Sequence, residues 1–210
     1  AKEKANRYFG DIPAGPPLSR PEQWVAPRTE STREVMLDRV AQARVYRAWN
    51  IGNYGTAEAD YLALAAQILG GSASSRLQAR LVHEEQLVSN VFANAMPLEL
   101  SGMFMIVATV KDGVDPAQVE AVIDEELAKF LDKGPTRAEL AQAKTRFRAN
   151  FVRGVERVGG FGGKSDVLAG CAVYTGDPGC FRASAERIES ASAADVRTAA
   201  RQRLGQGDHT

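Results

Sequence analysis

The sequence predicts an α+β fold: an antiparallel sheet with helices packed on one face. Two observations carry this. Segments rich in strand formers come in pairs joined by short turns, most clearly 88–97 and 102–110, which implies antiparallel pairing. Helical periodicity then dominates from residue 115 onward, so helices gather after the strands instead of alternating with them. The 210 residues, 44% apolar and 25% charged, suit an ordinary globular chain.

Residues 1–9 read as the last turns of a helix closing a preceding domain, and residues 10–33 as a proline-rich connector. Five of the nine prolines (Pro13, Pro16, Pro17, Pro21, Pro27) fall between Gly10 and Pro27, and proline fixes φ while removing a donor. Residues 34–210 form the main domain. Arg33 to Val40 and Ala43 to Ile51 are expected strands, the second because Val45, Tyr46 and Trp49 are strand formers in partial alternation. Between Thr56 and Leu69, the residues Tyr61, Leu62, Leu64, Ala65, Ile68 and Leu69 form one helical stripe that Gly70-Gly71 ends. A short helix is expected from Ser74 to about Glu85. The stretch from Met103 to Val110 is nearly continuous in apolar and β-branched residues and belongs in mid-sheet.

Asp115-Pro116 opens a helix with Val119, Val122, Ile123, Leu127 and Phe130 three and four apart, and Gly134-Pro135 stops it. Thr136-Arg137-Ala138-Glu139 is a capping box for a long helix to about Val158. Glycines 159–163 interrupt it. Further helices are expected over 166–174, 181–188 and 194–204, the last capped by Ser192.

Composition excludes several functions. Basic and acidic residues balance at 26 each, which removes the positive field that nucleic acid or an anionic membrane would need. No apolar run approaches the roughly 20 residues of a membrane span. The N-terminus from Ala1 to Tyr8 is polar and no signal peptide; a chain that starts this way reads as a fragment. Cys171 and Cys180 flank a Gly-Asp-Pro turn. They read as two reduced cysteines near a helix end, with a disulfide as the alternative in an oxidising compartment. Neither has a neighbouring base that would make it a nucleophile.

The two histidines, His83 and His209, decide the catalytic question. A catalytic zinc takes three protein ligands and an open position. Around His83 the sequence runs His83-Glu84-Glu85-Gln86-Leu87, completing neither H-E-x-x-H nor H-x-x-E-H. His209 falls in the C-terminal tail. No catalytic or metal-binding residue is therefore assigned, and no serine has a histidine and an acid in recognisable context. Gly159 to Ser165 superficially suggests a P-loop, but Val158 occupies the required glycine position and amphipathic helix leads in. Asp124-Glu125-Glu126 reads as a solvated helix face.

Several stretches together resemble the pitrilysin/insulinase family of zinc peptidases, which includes the mitochondrial processing peptidases and respiratory-complex core subunits. Arg7 to Pro13 is similar to the helix end and connector leaving the family's first domain. Ala43 to Trp49 resembles the opening strand of the next. Gln67-Ile68-Leu69-Gly70-Gly71-Ser72-Ala73-Ser74-Ser75-Arg76-Leu77 is the most specific segment. Leu81 to Val91, Thr136 to Leu140 and Ala193 to Val196 resemble later helix and strand starts.

The resemblance implies a C-terminal, non-catalytic domain that closes over a peptide substrate. Zinc and the catalytic Glu would stand on an upstream domain or partner subunit, and this chain alone would be inactive. Many members place an arginine and a tyrosine near the substrate in a Leu-Arg-x-x-x-Gln-Leu-x-Tyr pattern; here those positions are Val82 and Ser89. Arg80 and His83 are the nearby substrate-facing substitutes. In the family a segment like Gly205 to Thr210 leads into a final strand, so the chain reads as cut there too. The alternative function is a non-proteolytic structural or assembly subunit of the same fold, and a third is an independent peptide-binding module. The bacterial periplasm or cell envelope is compatible with the sequence, which does not itself fix the compartment.

Overall fold

β-Branched and aromatic residues build three strands, and their order sets the architecture. A computed structural model of the protein describes residues 1–16, 19, 21–27, 30–159 and 162–205. β1 (Arg44–Ile51), β2 (Val88–Pro97) and β3 (Gly102–Val110) form one antiparallel sheet in the order β1-β3-β2. The near-continuous apolar strand β3 takes the middle, where both its edges are paired, as its composition requires. A bulge between Val88 and Asn90 marks the start of β2.

Among the described residues there are seven α-helices: α1 (Lys2–Phe9), α2 (Ala57–Gly70), α3 (Pro116–Lys133), α4 (Arg137–Glu156), α5 (Lys164–Thr175), α6 (Cys180–Ser190) and α7 (Ala193–Leu204). Asp115 caps α3 with Pro116 at its first position, and Thr136 with Glu139 and Ser192 with Asp195 form complete capping boxes on α4 and α7. α2, α3 and α7 pack on the sheet, while α4 and α6 pack on α2. The core between sheet and helices centres on Trp49, Phe104 and Phe130, all buried, with Trp49 and Phe104 meeting edge to face at 5.8 Å. The helices thus cover one face of the sheet, as expected.

Three expectations need correction. Residues 33–40 form no strand; Val35, Met36, Leu37 and Val40 are exposed. Strand-forming side chains need a neighbouring strand, and none among the described residues pairs with this segment. The helix expected over 74–85 is instead a π-helical segment, Gln78–Glu84, closed by a Glu85 N–H to Arg80 carbonyl bond. Leu77 just before it and Leu81 within it are both buried, and Gln86 follows it at φ 54°. Gly70-Gly71 ends α2 as expected: Gly70 is its last residue and Gly71 its C-cap, at φ −84° and so outside the left-handed region. Gly70 is needed for contact, because a Cβ there would stand 2.4 Å from the Ala93 nitrogen. Finally, Cys171 and Cys180 are joined in a disulfide that ties the end of α5 to the start of α6. The reduced reading is overturned: the turn between them brings both cysteines to bridging distance.

Candidate functional site

The side chains not covered by helices form a continuous wall. Alternation along each strand sends Tyr46, Ala48 and Asn50 of β1, and Met103, Met105 and Val107 of β3, to the open face. Register aligns Tyr46, Val107 and Phe92 in one row, Ala48, Met105 and Asn94 in the next, and Asn50, Met103 and Met96 in a third. Tyr46 is 52% and Phe92 41% exposed, whereas Val107 between them is nearly buried. Aromatic and thioether groups flanked by asparagines make a surface that is apolar yet able to hydrogen-bond.

Arg80 and His83 both sit on the π-helical segment. Arg80 bonds Glu85, Glu125 and Glu126, the latter two at 3.0 and 2.8 Å on α3. These carboxylates, led by Glu85 and Glu125, hold its guanidinium more strongly protonated than usual against a burial effect that opposes it. Glu126 is buried, and Lys129 also reaches it at 2.9 Å. The Arg80 charge is thus met inside the protein, fixing the π-helical segment to α3. His83 is exposed. Val82 is partly buried against the core, and the Ser89 hydroxyl bonds the Thr109 carbonyl at 3.3 Å. His209 lies outside the described residues.

Arg76 was not singled out as a contact residue by sequence reasoning. Its Nε and Nη2 donate to the two Glu139 oxygens at 2.6 and 2.8 Å, Nη2 also reaches the Gly134 carbonyl, and the guanidinium lies 5.2 Å over the Phe130 ring. Burial pushes the Glu139 carboxyl up, but bonds from Arg76 and from the capping box outweigh it and leave the group below its ordinary range. The clue in the sequence was that Glu139 already belonged to a capping box beside the Gly134-Pro135 stop.

The structure also clamps the loop after β1. Asp60 accepts from Arg187 and Ser184 at 2.6 Å each, and Arg187 bonds the Gly55 carbonyl. Tyr54 stacks edge to face on Tyr174; burial, then Asp60 and Tyr174, raise its phenol above the usual range.

Among the described residues no group of three or more His, Cys, Asp or Glu side chains is placed to hold a metal ion. The acids that do cluster, Glu85, Glu125 and Glu126, are occupied by Arg80 and Lys129. This donor set does not fit a zinc centre. No helix among the described residues is long and apolar enough to cross a membrane.

Residues 1–147 match the family model described as the peptidase M16 inactive domain. The chain belongs to the peptidase M16 inactive-domain family. It is thus a pitrilysin-family C-terminal, non-catalytic domain, and zinc in such a protease stands on the partner domain. Solved structures agree in fold. A protease from Helicobacter pylori superposes with a TM-score of 0.85 at 20% identity, covering 100% of this chain and 50% of that one. The inactive peptidase domain of a protein classed as a zinc protease, from Bordetella parapertussis, gives a TM-score of 0.67 at 25% identity over 84% of this chain and 92% of that one. The periplasmic protease PqqL from Escherichia coli gives 0.68 at 16% identity over 98% and 23%. No curated protein matches the sequence. The M16 inactive domain described here therefore spans about half the length of the Helicobacter protease it resembles.

Proposed function

We propose that this M16 inactive domain is the closing, substrate-enclosing lobe of a zinc metallopeptidase that hydrolyses peptides, with zinc and the catalytic Glu on an upstream domain. The observation that carries the reading is the open sheet face. Tyr46 and Phe92 are exposed and Met103 and Met105 partly so, forming an apolar wall beside the segment at Ala26, whose carbonyl accepts from Asn50. A wall of this kind, brought over an extended peptide, excludes water and restricts the peptide's orientations. Residues 1–9 fit the end of a preceding domain: α1 buries none of its residues and leaves Tyr8 and Phe9 exposed. Residues 10–33 are the connector, and 34–210 the closing domain.

His83 stays open to a passing peptide at the edge of the lobe, while Arg80, held by its carboxylates, orients the segment that carries it. The Cys171–Cys180 bridge supports an oxidising compartment such as the bacterial periplasm or cell envelope, and a periplasmic protease is among the proteins of similar fold.

The test is to mix this domain with its upstream domain and measure peptide cleavage. Cleavage should rise well above that of the upstream domain alone. Phe92→Asp should lower kcat/KM by about tenfold or more with little change in stability. No gain from the wild-type domain would defeat the reading. An upstream domain lacking the inverted zinc motif would turn it toward a structural or assembly subunit.

A further inference from the structure

We infer that the end of the open sheet face at Arg44, Tyr46, Thr109 and Asn90 is a carboxylate-binding site, which holds an acidic side chain or the free C-terminus of a peptide. This rests on the closing-lobe reading and names the substrate chemistry that the lobe selects. Three observations support it.

The first is an unmet charge. Alternation places Arg44 on the open face two residues before Tyr46, and register sets it opposite Thr109, which in turn faces Asn90. The strand residues on that face include no acid. Among the described residues nothing bonds the exposed Arg44 guanidinium. The covered face of the same strand gives the contrast, for Arg47 there bonds Asp124 of α3 at 2.9 Å. Arg76 and Arg187 are likewise met by Glu139 and Asp60, and Arg80 by its three carboxylates. The fold matches the arginines around its core with acids and leaves Arg44 open to a partner from outside.

The second is the orientation of the neighbouring amides. Asn90 Oδ1 accepts from the Gln78 amide at 3.3 Å, and Gln42 Oε1 accepts from the Ser89 hydroxyl at 3.4 Å. With their oxygens engaged, both carboxamides keep their NH2 groups as donors. Tyr46 adds a half-exposed phenol and Thr109 a hydroxyl between the two outer strands. A carboxylate only accepts, with about four lone-pair sites, and the guanidinium fork matches two of them. An ammonium or a second guanidinium only donates, and this end of the face repels it.

The third is the setting. The donors border the row of Tyr46, Val107 and Phe92, with Met105 beyond it. Apolar surroundings weaken screening and strengthen the pull of a charge. An extended peptide rises about 3.3 Å per residue, so one held by a carboxylate at Arg44 lays residues two or more positions away over Phe92 and Met105. The matching substrate is acidic at one position and apolar a few residues off.

The probes are three short alanine-valine peptides: an amidated one with a single glutamate, its glutamine counterpart, and the glutamine peptide with a free C-terminal carboxylate. Calorimetric titration of this domain to about millimolar peptide compares them. The glutamate peptide, the free-acid peptide or both should bind about fivefold more tightly than the uncharged one. Which of them gains identifies the source of the carboxylate. Arg44→Gln should abolish the gain at an unchanged melting temperature, because the Arg44 side chain makes no bond among the described residues. Arg44→Glu should favour a lysine peptide instead. Arg201→Gln, on α7 against the covered side of the sheet, should leave the gain intact.

No binding by the wild-type domain, equal binding of charged and uncharged peptides, or a gain that survives Arg44→Gln overturns the inference. A parallel cleavage assay with the upstream domain separates the two ideas. If wild type and Arg44→Gln stimulate cleavage of all three peptides alike, the carboxylate site is wrong and the closing lobe stands. If wild type selects carboxylate peptides through Arg44 but never stimulates cleavage, the carboxylate site stands and the closing lobe is wrong.

Discussion

Removing the Arg76 side chain should destabilise the domain by about 2–3 kcal/mol without touching any substrate surface. The figure follows from the geometry. Arg76 makes two charge-assisted bonds to Glu139, one bond to the Gly134 carbonyl, and a stacking contact on Phe130. Hydrogen bonds to charged groups contribute about 1.5–3 kcal/mol each in favourable cases. The two side chains remain 17% and 27% exposed, so water recovers part of that, and the capping box keeps Glu139 partly satisfied after Arg76 is gone. Urea denaturation of Arg76→Ala should show a lower midpoint with unchanged slope. The melting temperature should drop by about 2–4 °C per kcal/mol. Glu139→Gln keeps the capping-box acceptor, so a double-mutant cycle with Arg76→Ala isolates the ion pair, with an expected coupling of about 1–2 kcal/mol. A cost below about 0.5 kcal/mol, or a coupling near zero, refutes the argument. So does an Arg76→Ala domain that keeps full stability but no longer supports cleavage, which would move Arg76 from the scaffold to the substrate.

Gly70→Ala should cost about 1–3 kcal/mol by overpacking α2 against β2, read from the same denaturation curves; a neutral result would mean the strand yields. Reducing the Cys171–Cys180 bridge should lower stability by about 3 kcal/mol in the chain-entropy account, with hydrogen exchange rising first in α5 and α6. Lowering pH through the acid range should weaken the domain in part through Glu139. Its carboxyl is held low in the folded state, so its contribution is complete above the unfolded value and lost as pH falls through the folded one. Arg76→Met should flatten that part of the stability profile, and an unchanged profile would remove Glu139 from the account.

Much of the fold was legible because its signals are local. Asp115, Thr136 and Ser192 each cap a helix through a side chain reaching two or three residues ahead, a distance the sequence displays directly. The pairing of 88–97 with 102–110 needed only a short turn. Features that depend on distant neighbours were not legible. Residues 33–40 have strand composition, but composition cannot supply a pairing partner. Burial of Leu77 and Leu81 follows from their i, i+4 spacing, but that spacing does not distinguish an α-helix from the π-helical segment observed. Spacing alone left Cys171 and Cys180 ambiguous.

The candidate site was the least visible part. Tyr46, Val107 and Phe92 become a row only once three strands adopt one register, and a shift of one residue would bury the row instead. Arg80 was read from the sequence as a substrate-facing residue, but its three carboxylate partners, which the sequence did not show, are Glu85 and two acids of α3, 45 and 46 positions away.

The small sheet also has a practical consequence for anyone handling this domain alone. A patch of aromatic and thioether groups, bordered by two strands whose outer edges pair with no other strand among the described residues, gives separate molecules a ready way to stack and zip together. Concentrated samples should therefore grow into larger particles, and dilute solutions with a mild surfactant should keep them apart.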